Sequence, residues 1–445
     1  MQSPSEKEQQ PIDAAASPRQ TSLPRGFLSR NIHQYPYLWV CFAMCVGVMG
    51  TALASPLYPL YQEAWHLSAG DVTLVYVVYM ASALCGLLFL GKLSDQYGFM
   101  PVLRFSICLV TAGVSVSAIA WSFGSFSFSR VLIGIASSLI VTSASIGLSR
   151  LSRSGDLQRA AATTSLMLAF GFGLGPVIGG LIAQWAPAPL RTSYMPSMAM
   201  GLLSIYALFT LKLEAIGIDG GPTQHSTSSL KHWLPSVLIP RAPSRRPFLI
   251  ASFSAFTAFG VFSLFASLAP TFMAAMLPWH GPAISGLSIG IILFLSALFQ
   301  LLARPWPTRR CIILGLSSLG LSNLLLILNI YTNSIFVFAI GLIVTALGHG
   351  LCLLSGMAIV QKVAPPQQRA ALTSTYLITG YLGAIAPILG VGWIADTFGL
   401  DIALISFCLS ISALSFALAY MAQRTPAIIP LEPKPATRTD SNPSR

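Results

Sequence analysis

Twelve apolar stretches of roughly 20 residues recur along the chain, each closed by a polar or charged break. At 1.5 Å rise per residue, such a stretch forms a helix about 30 Å long, which is the thickness of a bilayer's hydrocarbon core. The stretches run 38–60, 72–90, 105–123, 126–148, 161–183 and 194–211, then 248–273, 283–302, 311–329, 334–357, 371–395 and 401–421. A membrane β-barrel would instead alternate apolar and polar residues along strands of about ten. Residues 311–328 are apolar almost throughout, so the expected class is an all-α membrane protein. Charged residues make up 9% of the chain, against about 25% in an average soluble domain. Too few are present to clothe a surface that faces water.

The net charge of +12 invites a nucleic-acid reading, but its distribution opposes one. With the N-terminus placed in the cytoplasm, 23 of the 25 Lys and Arg residues fall in tails and loops on that same side. Arg191 alone lies opposite, and Arg130 sits inside the fourth stretch. This is the positive-inside distribution of an inner (plasma) membrane protein with both termini cytoplasmic. The seven cysteines all fall in or beside the stretches and none forms a CxxC pair. They read as packing residues, with no disulfide or metal site indicated. Residues 1–37 lack a cleavable leader's apolar core. With residues 422–445 they are expected to be disordered tails. No G-x-x-x-x-G-K-[ST] loop is present, so no nucleotide cofactor is expected.

The polar segment 212–247 divides the stretches six and six, giving halves 38–211 and 248–421. The halves echo each other. Gln158-Arg159-Ala160-Ala161 returns as Gln368-Arg369-Ala370-Ala371 at an offset of 210. Gly175-Pro176-Val177-Ile178-Gly179 returns as Ala386-Pro387-Ile388-Leu389-Gly390, and Pro59 as Pro270, both at 211. Three coincidences at nearly one offset indicate duplication. Two parallel repeats with a substrate site between them at the midplane is a transporter architecture.

Between the second and third stretches the chain reads Gly91-Lys92-Leu93-Ser94-Asp95-Gln96-Tyr97-Gly98 and continues to Arg104. Glycines permit a tight turn, and a carboxylate at a helix N-terminus is favoured by the dipole. This loop resembles the G-x-L-x-D-x-x-G signature of the major facilitator superfamily. The resemblance implies that Gly91, Asp95, Gly98 and Arg104 gate the cytoplasmic side, with the acid latching the halves together. Read without it, Asp95 is a helix cap. Basic residues usual in the family are replaced by Gln96, Phe99 and Met100, and the equivalent loop Ala303-Arg304-Pro305-Trp306-Pro307 lacks both glycine and acid.

The fifth stretch carries Gly171-Phe172-Gly173-Leu174-Gly175-Pro176-Val177-Ile178-Gly179-Gly180. Gly171, Gly175 and Gly179 share one helix face, where small residues let another helix come close. Pro176 removes a helical hydrogen bond and permits a bend. The run, ending on Gly179 and Gly180, resembles the antiporter motif of twelve-helix drug:proton antiporters, with Ala162 in place of a more distant glycine. It implies export. Arg130-Val131-Leu132-Ile133-Gly134 resembles the R-x-x-Q-G motif of the same branch, with Ile133 for glutamine. Arg130 also lies near enough to a helix end to snorkel to water. His349, between Gly348 and Gly350, is the other ionisable group well inside a stretch. It reads either as a packing residue or as a proton or substrate contact. All thirteen Asp and Glu residues lie in tails, loops or helix ends.

These readings lead to a secondary active transporter. It is expected to export a drug-like compound or a secreted metabolite such as a siderophore, by alternating access, driven by protons and acting as a monomer in the bilayer. A proton-coupled importer of a sugar or organic acid, and a non-transporting receptor or scaffold on the same fold, stay open. An enzyme would need clustered acids and histidines in the membrane, and Arg130 and His349 are too few.

Overall fold

In the computed structural model, which describes residues 35–152, 157–211, 237–276 and 281–425, every regular element is helical. The tails expected at 1–37 and 422–445 lie almost wholly outside these residues, as does 212–236 of the central segment. The first six long helices are α1 (Pro36–Trp65), α2 (Ala69–Leu90), α3 (Phe99–Ala118), α4 (Phe123–Leu151), α5 (Leu157–Trp185) and α6 (Met195–Thr210). The second six are α7 (Arg245–Met276), α8 (Pro282–Leu302), α9 (Thr308–Thr332), α10 (Ile335–Val363), α11 (Arg369–Phe398) and α12 (Leu400–Gln423).

Eleven of these, among the described residues, are long and apolar enough to cross a membrane. The other is α6, whose 16 residues extend about 24 Å, short of a full hydrocarbon core. Three stretches begin or end five or more residues from the sequence reading: the first, the third, and the tenth, whose helix runs on to Val363 where 357 was expected. The first stretch is not one smooth helix. It breaks into a 3-10 turn at Ser55–Leu57 and resumes as Tyr58–Trp65. The third begins at Phe99, six residues before the expected 105, and ends at Ala118. The physical reason is Arg104. Its charge argued for a loop, but its Nε–H and Nη2–H donate to the carbonyls of Leu208 and Leu211 at the end of α6, both at 2.9 Å. A cation on the negative end of a neighbouring helix is satisfied without leaving α3.

Local chemistry sets the helix ends. Ser68 and Asp71 form a capping box at the start of α2, and Ser122 with Ser125 forms one at α4. Gly98 holds φ at 85°, a conformation costly for other residues, and turns the chain into α3.

Contacts repeat between the halves. Helix α1 packs on α4 and α5 as α7 packs on α10 and α11; α3 packs on α4 and α6 as α9 packs on α10 and α12. The halves meet along two related seams, α5 on α8 and α11 on α2. Exposed Trp121, Trp185, Tyr331, Phe336 and Trp393 ring the end remote from the chain termini, here the far end. Tyr97, Trp306 and Tyr420 are exposed toward the tail end. Aromatic belts of this kind mark the two membrane interfaces.

Candidate functional site: the seam between halves and two buried ionisable groups

Helix α5 uses its glycines on two faces. On one, a β-carbon at Gly171 would fall 2.7 Å from the Cys45 carbonyl oxygen, and one at Gly179 would fall 2.8 Å from that of Leu53. Gly175 lies between them against the backbone of Met49 and Leu53. This face lies against α1. The other face turns to α8: Gly173 meets the Phe294 ring, Gly180 meets the Pro282 carbonyl, and the Pro176 carbonyl meets Gly286. Phe170 and Phe294 meet beyond them with ring planes tilted by 54° and centroids 5.7 Å apart. One helix therefore touches its own half and the opposite half nearly backbone to backbone. The second face escaped the sequence reading. Its signal was Gly286 and Gly290, spaced four apart in α8, complementary to Gly173 and Gly180.

The described hydrogen bonds between the halves gather at the far end. Thr271 Oγ1 donates to Gln62 Oε1 at 3.1 Å, and the Ala283 N–H donates to Gln184 Oε1 at 3.4 Å. The Tyr76 and Ser263 hydroxyls meet at 3.0 Å. Asp396, at the end of α11, accepts from the Ser68 hydroxyl at 3.0 Å and the Gly70 N–H at 3.1 Å. The sequence offered Asp396 only as a helix-end acid. A separate cavity of about 430 Å³, lined by Leu60, Glu63, Ala64 and Ala188 to Arg191, opens at the far end of the first half alone.

Arg130 does not snorkel. It is 1% exposed. Its Nη2–H donates to the Ser117 hydroxyl at 2.7 Å and its Nη1–H to the Thr51 carbonyl at 3.5 Å, and the guanidinium carbon lies 4.9 Å from the Phe126 ring centre. Its Nε has no partner. Around it, Tyr61 stacks on Phe126 at 4.2 Å and meets the Tyr194 hydroxyl at 3.0 Å. These groups come from α1, α3, α4 and the N-cap of α6, all in one half. Among the described residues no carboxylate pairs with it.

His349, 7% exposed, sits midway along α10. Its Nδ1 lies 2.8 Å from the Ser296 hydroxyl of α8, and the Phe262 ring of α7 stands 5.6 Å away. The flanking glycines let α8 and α9 close in. A β-carbon at Gly350 would meet the Ser296 carbonyl, and one at Gly348 would meet the Leu319 backbone. The partners of His349 thus belong to the second half and those of Arg130 to the first. No described hydrogen bond or ring contact joins the two groups. In the signature loop, Asp95 lies in the first turn of a short helix, Leu93–Tyr97, which follows Gly91. Arg104 is engaged by α6 within its own half.

The sequence matches the profile of the Major Facilitator Superfamily over residues 40–388. It is 24% identical over 185 residues to Multidrug resistance protein 2 of Bacillus subtilis, covering 41% of this chain and 44% of that protein. It is 24% identical over 190 residues to Quinolone resistance protein NorA of Staphylococcus aureus, covering 43% and 46%. The chain thus spans less than half the length of these relatives. Among solved structures, a POT family transporter in complex with 5-aminolevulinic acid superposes with a TM-score of 0.71 at 15% identity, over 91% of this chain and 98% of that one. A bacterial homolog of the human lysosomal transporter Spinster, inward-facing and unoccupied, superposes at 0.65 and 12%, over 88% and 98%. These likenesses concern the fold.

Proposed function

The chain belongs to the major facilitator superfamily of membrane transporters, and from that premise we propose that it exports a small molecule by proton antiport. The observation that carries the reading is helix α5. The stretch that resembles the antiporter motif is the helix that packs closely on α1 and on α8. A helix with small residues on both faces can pivot between two packings without losing contact with either neighbour. The partial relatives are named for drug resistance, which supports export of a drug-like compound or a secreted metabolite such as a siderophore. Purified protein in liposomes with an imposed proton gradient is expected to move a fluorescent cationic dye against its own gradient. Dye movement only into the cytoplasmic-equivalent compartment would replace export with import.

Topology follows from charge. Segments 38–211 and 248–421 act as the two rocking units of a monomer, joined by a cytoplasmic 212–247 and flanked by cytoplasmic tails in the inner membrane. In a background without other reactive cysteines, Thr332→Cys and Ser228→Cys should label from opposite faces, Ser228→Cys only after the membrane is opened. Labelling of both in intact cells would overturn this placement.

The proton is assigned to His349. Among the described residues no Asp or Glu lies deep in a membrane-spanning helix, and arginine keeps its proton. Histidine's unperturbed pKa, about 6.5, puts its charge change near neutral pH. His349→Gln should leave dye binding within about twofold and flatten the pH dependence of efflux. An unchanged pH profile would return His349 to a packing role.

A further inference from the structure

We propose that Asp396 is an outer-gate latch: a carboxylate of the second half that closes over the N-terminus of α2 in the first, and so sets how often the outer side opens. The inference rests on the alternating-access reading above, with the far end facing outward.

The start of α2 is already capped from within. The Ser68 hydroxyl accepts from the Asp71 N–H at 3.1 Å, and the Asp71 carboxylate accepts from the Ser68 N–H at 3.0 Å. That arrangement leaves the Gly70 N–H and the Ser68 hydroxyl proton unused. Asp396 takes both, with its Oδ1 and Oδ2 each 3.1 Å from the Gly70 nitrogen and its Oδ2 3.0 Å from Ser68 Oγ. A carboxylate placed on orphan N–H groups at the positive end of a helix makes charge-assisted bonds favoured by the dipole. Of the cross-half hydrogen bonds described at this end, only those to Asp396 involve a formal charge.

The surrounding shape is made for this contact. A β-carbon at Gly70 would collide with the Asp396 carboxylate, and one at Gly392, a turn earlier on α11, would collide with Thr73. The two helices can come this close only because both positions are bare. Opening the outer side separates α2 from α11, so every one of these bonds must break in each cycle. They lie on an exposed surface, so salt screens them and their contribution is moderate. Moderate strength suits a latch that has to release.

The test measures the gate itself, with neither substrate nor gradient. Spin labels at Trp121 and Tyr331, exposed far-end residues of opposite halves, report the separation in full-length protein in nanodiscs. Asp396→Asn should raise the open-to-closed ratio roughly three- to tenfold. Gly70→Ala, which displaces the carboxylate without changing charge, should do the same. The double variant should add little to either single one. Raising salt should open the wild type more than Asp396→Asn. Asp401→Asn, an equal charge change in the first turn of α12, should leave the distances alone. Unchanged distances in both Asp396→Asn and Gly70→Ala would overturn the latch. Shifted distances in a protein that shows no export would leave the latch standing and sink the export reading instead.

Discussion

Gly175→Leu is expected to cut the initial rate of dye efflux at least tenfold while the protein still inserts and folds. The neighbours at this position are main-chain atoms of Met49 and Leu53 in α1, and backbone cannot rotate away as a side chain can. A leucine there forces α5 off α1, with an overpacking cost of about 1–3 kcal/mol. Shifting α5 also disturbs its other face, where Gly173, Pro176 and Gly180 lie against α8. Gly173 provides the internal comparison. The nearest atoms to a β-carbon there belong to the Phe294 ring, at 2.7 Å, and a ring can swing aside. Gly175→Ala should therefore impair efflux more than Gly173→Ala, although both add one carbon to the same helix. The measurement is transport in liposomes alongside the thermal midpoint of the detergent-purified protein. Wild-type efflux by Gly175→Leu would show that the close α1–α5 packing has no part in transport.

Different parts of this architecture were legible in the sequence for different reasons. Helix existence was plain, because lipid demands long apolar runs and leaves little room for other solutions. The duplicated layout was legible from Pro176 and Pro387 at one offset, and the repeated helix pairings agree with it. The glycine face of α5 toward α1 could be read from a spacing of four. Its face toward α8 went unread, because the complementary Gly286 and Gly290 lie more than a hundred residues away and Gly173 and Gly180 do not by themselves name a partner. The start of α3 was misplaced because a charged side chain looks like a loop until its partner is known. Arg104 is satisfied by carbonyls of α6, over a hundred residues on. The same blindness to partners hid Asp396. Its type and position suggested a helix end, and only the fold brings it to Ser68 and Gly70 of the opposite half. Arg130 and His349 were identifiable as unusual by location alone, as ionisable groups inside apolar stretches, but nothing local showed what surrounds them. The structure encloses each in its own half.

Arg130→Met should leave the thermal midpoint unchanged or raise it by a few degrees, while transport falls at least tenfold. The two halves of this expectation come from one fact, that the fold gains little from the charge. A cation deep in a membrane helix costs about 2.5–3.5 kcal/mol on insertion scales. Burial without a counter-charge is the least favourable arrangement for an ion. Here the compensation is a serine hydroxyl, a carbonyl at 3.5 Å and the face of Phe126, with the Nε left over. The charge also sits only about two turns from the positive N-terminal end of α4, where the dipole opposes it. Methionine has the length to fill the space and a flexible, polarisable side chain to fit it. It frees the Ser117 hydroxyl, which still has Ser129 within 2.8 Å. A purely structural arginine would behave in the opposite way. Its removal would lower the midpoint by several degrees, and Arg130→Lys, which keeps the charge, would recover part of the loss. A residue kept for transport predicts stability without activity in Arg130→Met. It also predicts little activity in Arg130→Lys, because an ammonium cannot reproduce the guanidinium fork that reaches Ser117 and Thr51 together. Stability curves and efflux rates on the same three preparations separate the two roles. A lowered midpoint with proportionate loss of transport would make Arg130 part of the scaffold of the first half.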